Sequence, residues 1–424
     1  MTKLILVSLG RDYEKHFLNV TLKHFIYKLS LAEQPCGKLR FSIIGAGGVG
    51  QVIAGHLAES EEANVKVGDI DRSRLREIKR TGDDVVTSKL DAGSAAQVER
   101  FLKGSDVVIN ASDPRFNLLI MKQAVKKKTH YVDLAGENPR SVEQQLGQSP
   151  RWKKANLVAV LGMGEDPGLS NVLARRGVDM LDHVTEIRVR DGETSTSDAY
   201  PFVALFAPGV FLEEAISPGC YFEGGELKTT SPMGRKETYP FPQPIGEIPV
   251  YGMDHEEVHS LPYYLPKKPN YVDFKLALTD DAANAIRLFH GIGLLDTKPR
   301  RFGETKISPL SVLLRLLPTP SQIGGKIHGS AGVLVEVRGE KSGQQTVLKL
   351  YVTMTHDEAY ERHKTNATSY LTGTPTAICA LMTARGSVEN RGVIVPECLN
   401  AESFLGETPR YDLRIQIEET RGGQ

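Results

Sequence analysis

The sequence predicts an α/β protein, in which a doubly wound parallel sheet is followed by a second α+β domain built on a mixed, largely antiparallel sheet. From residue 39 onward, short apolar runs alternate with longer amphipathic stretches, as in strands joined by crossover helices. The first apolar run leads directly into a glycine-rich turn. Beyond residue 162 this rhythm ends, and apolar residues alternate with polar ones in 183–192 and 330–356, as on strands with one buried face.

The elements of the parallel sheet follow from the apolar runs and from the stretches between them. Each run has the length of a buried strand, and each intervening stretch suits the helix that a parallel connection needs. We predict strands at 40–45, 64–69, 84–88, 106–111, 129–134 and 156–162. We predict helices near 48–60, 72–80, 94–103, 115–127 and 141–154. Right-handed crossovers would arrange these six strands as a doubly wound sheet.

The first predicted strand ends in GAGGVG, residues 45–50, which has the G-x-G-x-x-G spacing and is followed at once by a predicted helix. In this setting Gly45 permits a tight turn, Gly47 lets the backbone approach a pyrophosphate, and Gly50 lets the helix pack closely on the strand. The helix N-terminus would meet the phosphates with its free N–H groups. The pattern therefore predicts a Rossmann domain that binds a dinucleotide.

An acid at the end of the second strand bears on which dinucleotide is bound. Asp69 lies about 20 residues after the glycines, where a carboxylate accepts hydrogen bonds from the ribose hydroxyls and would repel a 2′-phosphate. We therefore expect NAD, with NADP possible because Arg72 and Arg74 could hold that phosphate. The expected cofactor contacts are Gly45, Gly47, Gly48, Val49, Gly50, Asp69, Ile70, Asn110, Ala111 and Ser112.

The stretch GMGEDPGLSN, residues 162–171, follows the sixth predicted strand. Asp166 and Pro167 suit the N-cap and the first position of a helix, so the acid could serve capping alone. Alternatively, because this helix start follows a strand at the carboxyl edge of the sheet, it could face the nicotinamide cleft. Farther on, the proline-containing residues 200–270 are expected to be rich in loops, and a helix is expected to begin at Pro375 and end at Gly386.

These signals divide the chain into four parts. Residues 1–38 form an N-terminal extension with an amphipathic helix predicted over 13–33. The Rossmann domain is expected at 39–165, and a domain that binds substrate at 166–390. The alternating strands of this second domain also suggest a homodimer formed through its sheet. Residues 391–424 are expected to return toward the Rossmann domain.

Composition and charge argue against several classes of protein. Lys plus Arg and Asp plus Glu each number 52, so no basic field would attract nucleic acid. No apolar run approaches the roughly 18 residues that span a bilayer, so no membrane partner is expected. The four cysteines lie far apart without a C-x-x-C pair, which fits neither a disulfide framework nor a zinc ribbon and favours the reducing cytoplasm.

Five stretches are specific enough for comparison with known families: FSIIGAGGVGQVIAGHLA, DVVINAS, THYVDLAGE, GMGEDPGLSN and TGTPTAICALMTARGSVENRGVIVPE. Together they resemble the saccharopine dehydrogenase-like family, which also includes lysine 6-dehydrogenases and carboxynorspermidine dehydrogenases. The resemblance extends over residues 40–400, and its specific part lies outside the glycine motif, which many Rossmann enzymes share. It implies a nicotinamide-dependent oxidoreductase that acts on a C–N bond of an amino acid, without settling which amino acid.

Candidate catalytic and substrate-binding residues lie at strand ends that would face the cofactor. Asp133 and Glu137 could hold a substrate ammonium or accept its proton, although Asp133 could equally cap the turn after its strand. The expected substrate-binding residues are Arg115, Asp166, Ser170 and Asn171. The arginine would clamp a carboxylate unless it is simply solvated. Because only one well-placed arginine precedes residue 180, oxidation of a single diamine-type amino acid such as lysine is favoured over reductive condensation to a product such as saccharopine.

HEEVH, residues 255–259, has the spelling of a zinc-peptidase motif. A zinc peptidase needs it on a helix, so that His255 and His259 project together and Glu256 acts as a base. Because prolines surround the stretch, we expect at most one short helical turn, in a solvated or packed loop or with histidines that line the substrate cleft. No metal site is expected. An NAD-binding sensor without catalysis is the alternative to an enzyme.

Overall fold

A seven-stranded parallel sheet, sheet A, forms the first part of the fold. The computed structural model describes residues 37–78 and 85–422, and the helix predicted at 13–33 lies outside them. The strands of sheet A are β1 (Leu39–Ile44), β2 (Ala63–Asp69), β3 (Val86–Lys89), β4 (Val107–Asn110), β5 (His130–Asp133), β6 (Val158–Val160) and β18 (Gly392–Ile394). They lie in the order β18-β6-β5-β4-β1-β2-β3, and neighbouring strands are parallel. The predicted doubly wound sheet is confirmed, and Gly392–Ile394 adds a seventh strand to the predicted six.

The helices that connect the strands of sheet A are α1 (Gly48–Ala58), α2 (Arg72–Ile78), α3 (Ala95–Phe101), α4 (Asn117–Lys127), α5 (Pro139–Leu146) and α6 (Ser149–Lys154). The single helix predicted at 141–154 is two helices, because Gly147 ends the first and Pro150 lies in the first turn of the second. The strand order reverses between β1 and β4. In open α/β sheets, ligands bind at the carboxyl ends of the strands beside such a reversal.

A mixed sheet, sheet B, forms the second part of the described structure. Its strands are β7 (His183–Asp191), β8 (Thr194–Thr196), β9 (Cys220–Glu223), β10 (Glu226–Thr229), β11 (Gly234–Pro240), β12 (Glu247–Gly252), β13 (Tyr271–Ala277), β16 (His328–Lys341), β17 (Gln344–Thr355) and β19 (Gln416–Arg421). Strands β13 and β7 are parallel, and the other described pairs are antiparallel. The predicted largely antiparallel sheet is therefore confirmed. A separate hairpin joins β14 (Arg300–Phe302) to β15 (Thr305–Ile307).

The helices of the second part are α7 (Leu169–Met180), α8 (Pro208–Ile216), α9 (Glu256–Tyr264), α10 (Asp280–Gly291), α11 (Pro309–Leu316), α12 (Pro320–Ile323), α13 (His356–His363), α14 (Ala367–Ala384) and α15 (Ala401–Glu407). Residues 200–270, predicted to be rich in loops, contain α8, α9 and β9 to β12 as well as the loops between them. Two of the prolines in this stretch mark element ends, because Pro208 begins α8 and Pro240 ends β11.

Helix α14 packs against sheet A's first helix. The prediction that it begins at Pro375 is wrong, because the helix begins eight residues earlier, at Ala367, and Pro375 lies inside it. Asn366 caps it by accepting a hydrogen bond from the Ser369 N–H (2.8 Å). A Cβ added at Gly373 would lie 2.8 Å from Val52 of α1, so glycine permits the close approach. Both sheets belong to one compact unit that begins at Leu39. None of the described helices is long and apolar enough to cross a membrane.

Candidate active site

The turn between β1 and α1 has the shape that a pyrophosphate requires. Gly45 has φ +111°, and an added Cβ would lie 2.3 Å from the Ala111 carbonyl oxygen. At Gly50 a Cβ would lie 2.1 Å from the carbonyl oxygen of Gly45. At Gly47, by contrast, an added Cβ would meet no atom within 4 Å. Packing therefore demands the first and third glycines, whereas the backbone at Gly47 faces open space.

The N-terminus of α1 is free to bind an anion. Its N-cap residue is Gly47, so no side chain accepts hydrogen bonds from the first-turn N–H groups. Gly48 and Val49 begin this turn, with Gly48 close to Ser369 at the start of α14. Unpaired N–H groups and the positive end of the helix dipole suit the phosphates of a dinucleotide. The turn and the helix start thus fit NAD or NADP, whose nicotinamide supplies hydride-transfer chemistry when bound.

Asp69, at the end of β2, holds the glycine turn in place. One carboxylate oxygen accepts a hydrogen bond from the Ala46 N–H (2.7 Å), and the other accepts one from the Asp71 N–H (2.8 Å). Each oxygen keeps a further lone pair, so a bond to a ribose hydroxyl is compatible with these contacts. Ile70 is exposed beside it. A role for either residue in cofactor binding stays a prediction.

The end of β4 lies directly beside the glycine turn. The carbonyl of Ala111 forms the contact with Gly45 described above. Asn110 is buried, and its side chain donates to Asn117 (2.6 Å) and accepts from the Ser112 hydroxyl (2.6 Å). Asn110 therefore fixes the turn after β4, and the half-buried Ser112 is the side chain of this pair that a cofactor can reach.

Asp133 is buried at the end of β5, in a hydrogen-bond network within the domain. Its carboxylate accepts bonds from the hydroxyl of Tyr131 (2.9 Å), the side-chain amide of Gln145 (2.8 Å) and the N–H of Gly162 (2.6 Å). Burial raises the pKa of Asp133 to about 7. These contacts fit the alternative role for Asp133, which is to fix the turn after its strand, because they join β5 to α5 and to the end of β6. Glu137 is exposed before α5.

The turn before α7 differs from the prediction that Asp166 is its N-cap. The helix begins at Leu169 with Gly168 as N-cap, and Gly168 has φ +132°. A Cβ there would lie 2.3 Å from the Gly164 carbonyl oxygen, so this closed turn requires glycine. Asp166 therefore does not cap the helix. Its Oδ2 is buried without a hydrogen-bond partner in the described structure.

Ser170 and Asn171, the first residues of α7 after Leu169, bind side chains of other elements. The Ser170 hydroxyl donates to Glu257 of α9 (2.6 Å). The Asn171 amide donates to Ser260 of α9 (3.2 Å) and to Glu397 (3.0 Å). Both residues are buried, so their contacts position α9 against α7. Their predicted role in substrate binding stays a prediction.

The last four residues of HEEVH begin a helix longer than the single short turn that was predicted. Helix α9 extends from Glu256 to Tyr264 with Pro262 inside it. Two side chains of its first turn, Glu256 and Glu257, accept hydrogen bonds from other elements. His255 precedes the helix, pairs with Glu257 (2.5 Å) and stacks on Phe274. His259 instead binds Asp254 (2.6 Å). The two histidines point to different partners, so this stretch lacks the convergent pair of a zinc peptidase.

Glu256 connects HEEVH to another sequence motif. Its carboxylate accepts a hydrogen bond from the N–H of Gly136 (2.8 Å), which lies in YVDLAGE. Ser170 of GMGEDPGLSN contacts the neighbouring Glu257. Three motifs that are far apart in the sequence therefore meet at the start of α9. The contact between these motifs was not predicted from sequence, because the prolines around HEEVH were interpreted as helix breakers.

Buried and half-buried carboxyl groups gather beside these motifs. We define the acidic cluster as Glu165, Asp166, Asp191, Glu193 and Glu214. Burial and the neighbouring carboxyls raise the pKa of Glu165 and Asp191 well above the usual value. Burial raises the pKa of Asp166 and of Glu193 to about 7, and that of Glu214 to about 8. The cluster combines the turn before α7, the end of β7 and helix α8.

His255 is the positive group that acts on this cluster. Burial opposes its protonation, but Glu257, Glu256 and Asp166 outweigh that effect and hold the pKa of His255 well above its usual value. In turn, the positive charge of His255 partly offsets the rise in the pKa of Asp166 and of Glu214 that burial causes. Arg115 contributes no such charge: its side chain is 62% exposed and pairs with Asp113 (3.2 Å). These contacts fit the alternative in which Arg115 is solvated and does not clamp a carboxylate.

The acidic cluster contains carboxyl oxygens that the described protein leaves unbonded. Glu165 Oε1, Asp166 Oδ2 and Asp191 Oδ1 are buried and have no hydrogen-bond partner in the described structure. Buried polar atoms without partners are rare in folded proteins, because they lose their bonds to water. A cationic ligand would supply both the missing donors and the missing positive charge. Sequence analysis named only Asp166 of these five residues.

Comparison with known proteins agrees with this architecture. The family model "Saccharopine dehydrogenase NADP binding domain" matches residues 41–160, and "Saccharopine dehydrogenase C-terminal domain" matches 164–411. Carboxynorspermidine synthase of Vibrio alginolyticus is 30% identical over 406 residues, covering 90% of this chain and 97% of that protein. Carboxyaminopropylagmatine dehydrogenase of Synechocystis is 26% identical over 377 residues, covering 86% of this chain and 94% of that protein.

A solved structure shares the fold. Apo saccharopine dehydrogenase (L-Glu forming) from Saccharomyces cerevisiae superposes with a TM-score of 0.68 at 15% identity, covering 90% of this chain and all of that chain. The predicted family, the nicotinamide cofactor and the oxidoreductase chemistry at a C–N bond are thereby confirmed. This chain belongs to the saccharopine dehydrogenase family.

Proposed function

We propose that the substrate is a polyamine that carries a carboxyl group. A secondary amine links the part that bears the carboxyl group to the rest of the molecule, and the enzyme makes or breaks a C–N bond of this amine. The observation that carries this proposal is the set of unbonded carboxyl oxygens in the acidic cluster, at Glu165, Asp166 and Asp191. Several buried carboxyls with few opposing charges suit a ligand with more than one ammonium group. A single amino acid such as lysine would use fewer of them.

Each part of the site has a separate task in this proposal. Asp166, with a pKa of about 7, accepts the proton that the reacting nitrogen loses, since a base is most effective near the working pH. Asp191 and Glu214 hold the ammonium groups farther along the substrate. Binding at several points fixes a long, flexible molecule so that one carbon meets the nicotinamide. Asp166 replaces Asp133 and Glu137 as the candidate base, because Asp133 is occupied by internal bonds and Glu137 is exposed.

The relatives support the same substrate class. Both relatives described above are named for polyamines that bear a carboxyl group. Reductive condensation joins an aldehyde carrying the carboxylate to a primary amine, releases water and places hydride on the carbon beside nitrogen. This revises the sequence-based preference for oxidation of a lysine-like substrate, because the acidic cluster offers more anionic sites than one lysine uses.

A substrate panel tests the proposal. Purified enzyme is supplied with NAD⁺ or NADP⁺ and with carboxynorspermidine, saccharopine, lysine or ornithine, and the formation of reduced nicotinamide is recorded by absorbance. The carboxylated polyamine should give the highest kcat/KM. Turnover of lysine or saccharopine with an inert carboxylated polyamine would overturn the substrate class while leaving C–N chemistry in place. Binding without turnover of every compound would favour the NAD-binding sensor.

Three further properties remain predictions from sequence. We propose a homodimer formed through sheet B, which analytical ultracentrifugation at several concentrations would test. A cytoplasmic location would be tested by cell fractionation. The preference for NAD over NADP rests on Asp69, and a comparison of kcat/KM for the two cofactors would test it.

A further inference from the structure

We infer that Cys220, Asp254 and His259 form a zinc site. Cys220 begins β9, Asp254 lies in the loop after β12, and His259 lies on α9. Their donor atoms, one sulfur, one carboxylate oxygen and one ring nitrogen, all lie within 4.8 Å of one another. This inference does not rest on the proposed substrate, because no member belongs to the acidic cluster.

The distances between the three donor atoms suit a shared metal ion. With bonds of about 2.0–2.3 Å to zinc, tetrahedral ligands lie roughly 3.3–3.8 Å apart. The Cys220 sulfur is 3.6 Å from the His259 Nε2, within that range. Asp254 Oδ1 lies 3.1 Å from the sulfur and 2.6 Å from Nε2, so it needs to withdraw by less than about 1 Å. A side-chain rotation of Asp254 would be enough.

The chemistry of the donors selects zinc over calcium or magnesium. Thiolate and imidazole are preferred ligands of zinc, whereas calcium and magnesium prefer a shell of oxygens. The His259 and Asp254 side chains are 26% and 35% exposed. Solvent can therefore provide a fourth ligand. Without a metal, the same three side chains are hydrogen-bonded to one another. The site can therefore be stable both with and without the metal ion.

The position of the site gives it a structural consequence. Asp254 and His259 flank His255, Glu256 and Glu257, whose side chains point toward the candidate active site. A metal bound on the other side of this segment would tie β9 to the first turn of α9. The sequence did not predict the group, since Cys220 is 34 and 39 residues from its two partners and HEEVH directed attention to His255.

The test measures metal binding directly. The full chain is stripped with a chelator and titrated with Zn²⁺ against a chromophoric chelator, and with Co²⁺ while the absorption of a thiolate bound to cobalt is recorded in the near ultraviolet. We expect one metal per chain and a cobalt–thiolate band. Cys220→Ser should abolish the band, and His259→Asn should remove stoichiometric binding. Two matched controls, Cys398→Ser and His328→Asn, change residues outside the group and should bind as the original chain does.

Several outcomes would overturn the inference: no stoichiometric zinc, a band that survives Cys220→Ser, or a band that Cys398→Ser removes. Retained NAD(P) binding shows that each variant is folded. If Cys220→Ser does not fold, His259→Asn and the two controls decide the matter. Activity toward amines is a separate readout, so failure of the proposed substrate would leave the zinc result standing, and the reverse also holds.

Discussion

The glycine turn and the acidic cluster present opposite charges to a ligand. The turn at residues 45–50 presents backbone N–H groups, and its geometry is fixed by contacts that tolerate no Cβ at Gly45 or Gly50. The acidic cluster presents side-chain carboxyls, some of which have no partner in the described protein. The first region therefore fits anionic phosphates. We propose that the second binds cations, and the pKa values of its carboxyls are raised in the absence of a ligand.

The difference indicates where binding energy comes from in each region. In the glycine turn, Asp69 already binds the Ala46 N–H before the cofactor arrives, and only the first-turn N–H groups of α1 are left for the phosphates. In the acidic cluster, the fold holds carboxyls together at a cost that a cationic ligand would offset. Substitutions at Gly45 and Gly50 should therefore affect folding, and one at Gly47 should affect cofactor binding. Substitutions in the cluster should weaken binding of the amine substrate and leave cofactor binding unchanged.

The largest expected effect is that of Gly45→Ala on stability. Alanine at this position would have φ > 0 and a Cβ that overlaps the Ala111 carbonyl. The free energy of unfolding should fall by about 2–5 kcal/mol, with about 1–2 kcal/mol from backbone strain and about 1–3 kcal/mol from overpacking. Gly55→Ala in α1 is the matched control, since a Cβ there meets no atom within 4 Å. Urea unfolding of both variants measures the difference. Equal free energies of unfolding would show that the turn is not rigid.

The second prediction concerns Glu214→Gln, which removes a carboxyl that would ionise beside a bound ammonium group. KM for a carboxylated polyamine should rise about 10- to 150-fold, because a hydrogen bond to a charged group contributes about 1.5–3 kcal/mol. KM for the nicotinamide cofactor should not change. The neighbouring Glu213 is exposed on the same helix, so Glu213→Gln is the control. An equal effect of the two substitutions on KM would remove Glu214 from the binding site.

Gly47→Ala separates cofactor binding from folding. Because a Cβ at this position meets no protein atom within 4 Å and φ is −72°, the free energy of unfolding should stay the same. The methyl group would occupy space expected for the pyrophosphate, at a cost of about 1–3 kcal/mol, or about a 5- to 150-fold loss of affinity. Calorimetric titration with the cofactor measures the loss. Unchanged affinity would place the pyrophosphate elsewhere.

A pH dependence should distinguish the two regions. Asp166 and Glu193, with pKa values of about 7, gain negative charge between pH 6 and pH 8, whereas the substrate ammonium groups stay protonated. KM for the polyamine should therefore fall as the pH rises, by about tenfold over this interval, which follows from the change in the ionised fraction. The affinity for cofactor should change little. A KM that rises with pH would contradict cation binding by these carboxyls.

The smallest expected effect is that of Asp69 on cofactor choice. Asp69→Ser removes the carboxylate that would repel a 2′-phosphate, so the ratio of kcat/KM for NADP to that for NAD should increase. Asp69→Asn is the control for the turn, because its side-chain oxygen can still accept from Ala46. If the original chain already prefers NADP, the sequence-based preference for NAD is wrong, and the exposed Arg72 and the half-buried Arg74 become the expected phosphate ligands.

The two regions also differed in how far they could be predicted from sequence. The glycine turn lies within six consecutive residues and next to an apolar strand, so both its position and its neighbours in sheet A were predictable. The acidic cluster draws Glu165, Asp191 and Glu214 from separate elements, and nothing local distinguishes them from surface acids. Asp133 illustrates the reverse error: a carboxylate at a suitable strand end proved to be bonded within the domain.

The most direct test of the account follows the hydride itself. Enzyme supplied with nicotinamide cofactor deuterated at the reactive carbon, a carboxylated aldehyde and a diamine should form a secondary amine. Mass spectrometry of its fragments should place the deuterium on the carbon bonded to nitrogen. Deuterium on a carbon that bears a hydroxyl group, with no amine product, would contradict the claim that this enzyme acts on a C–N bond.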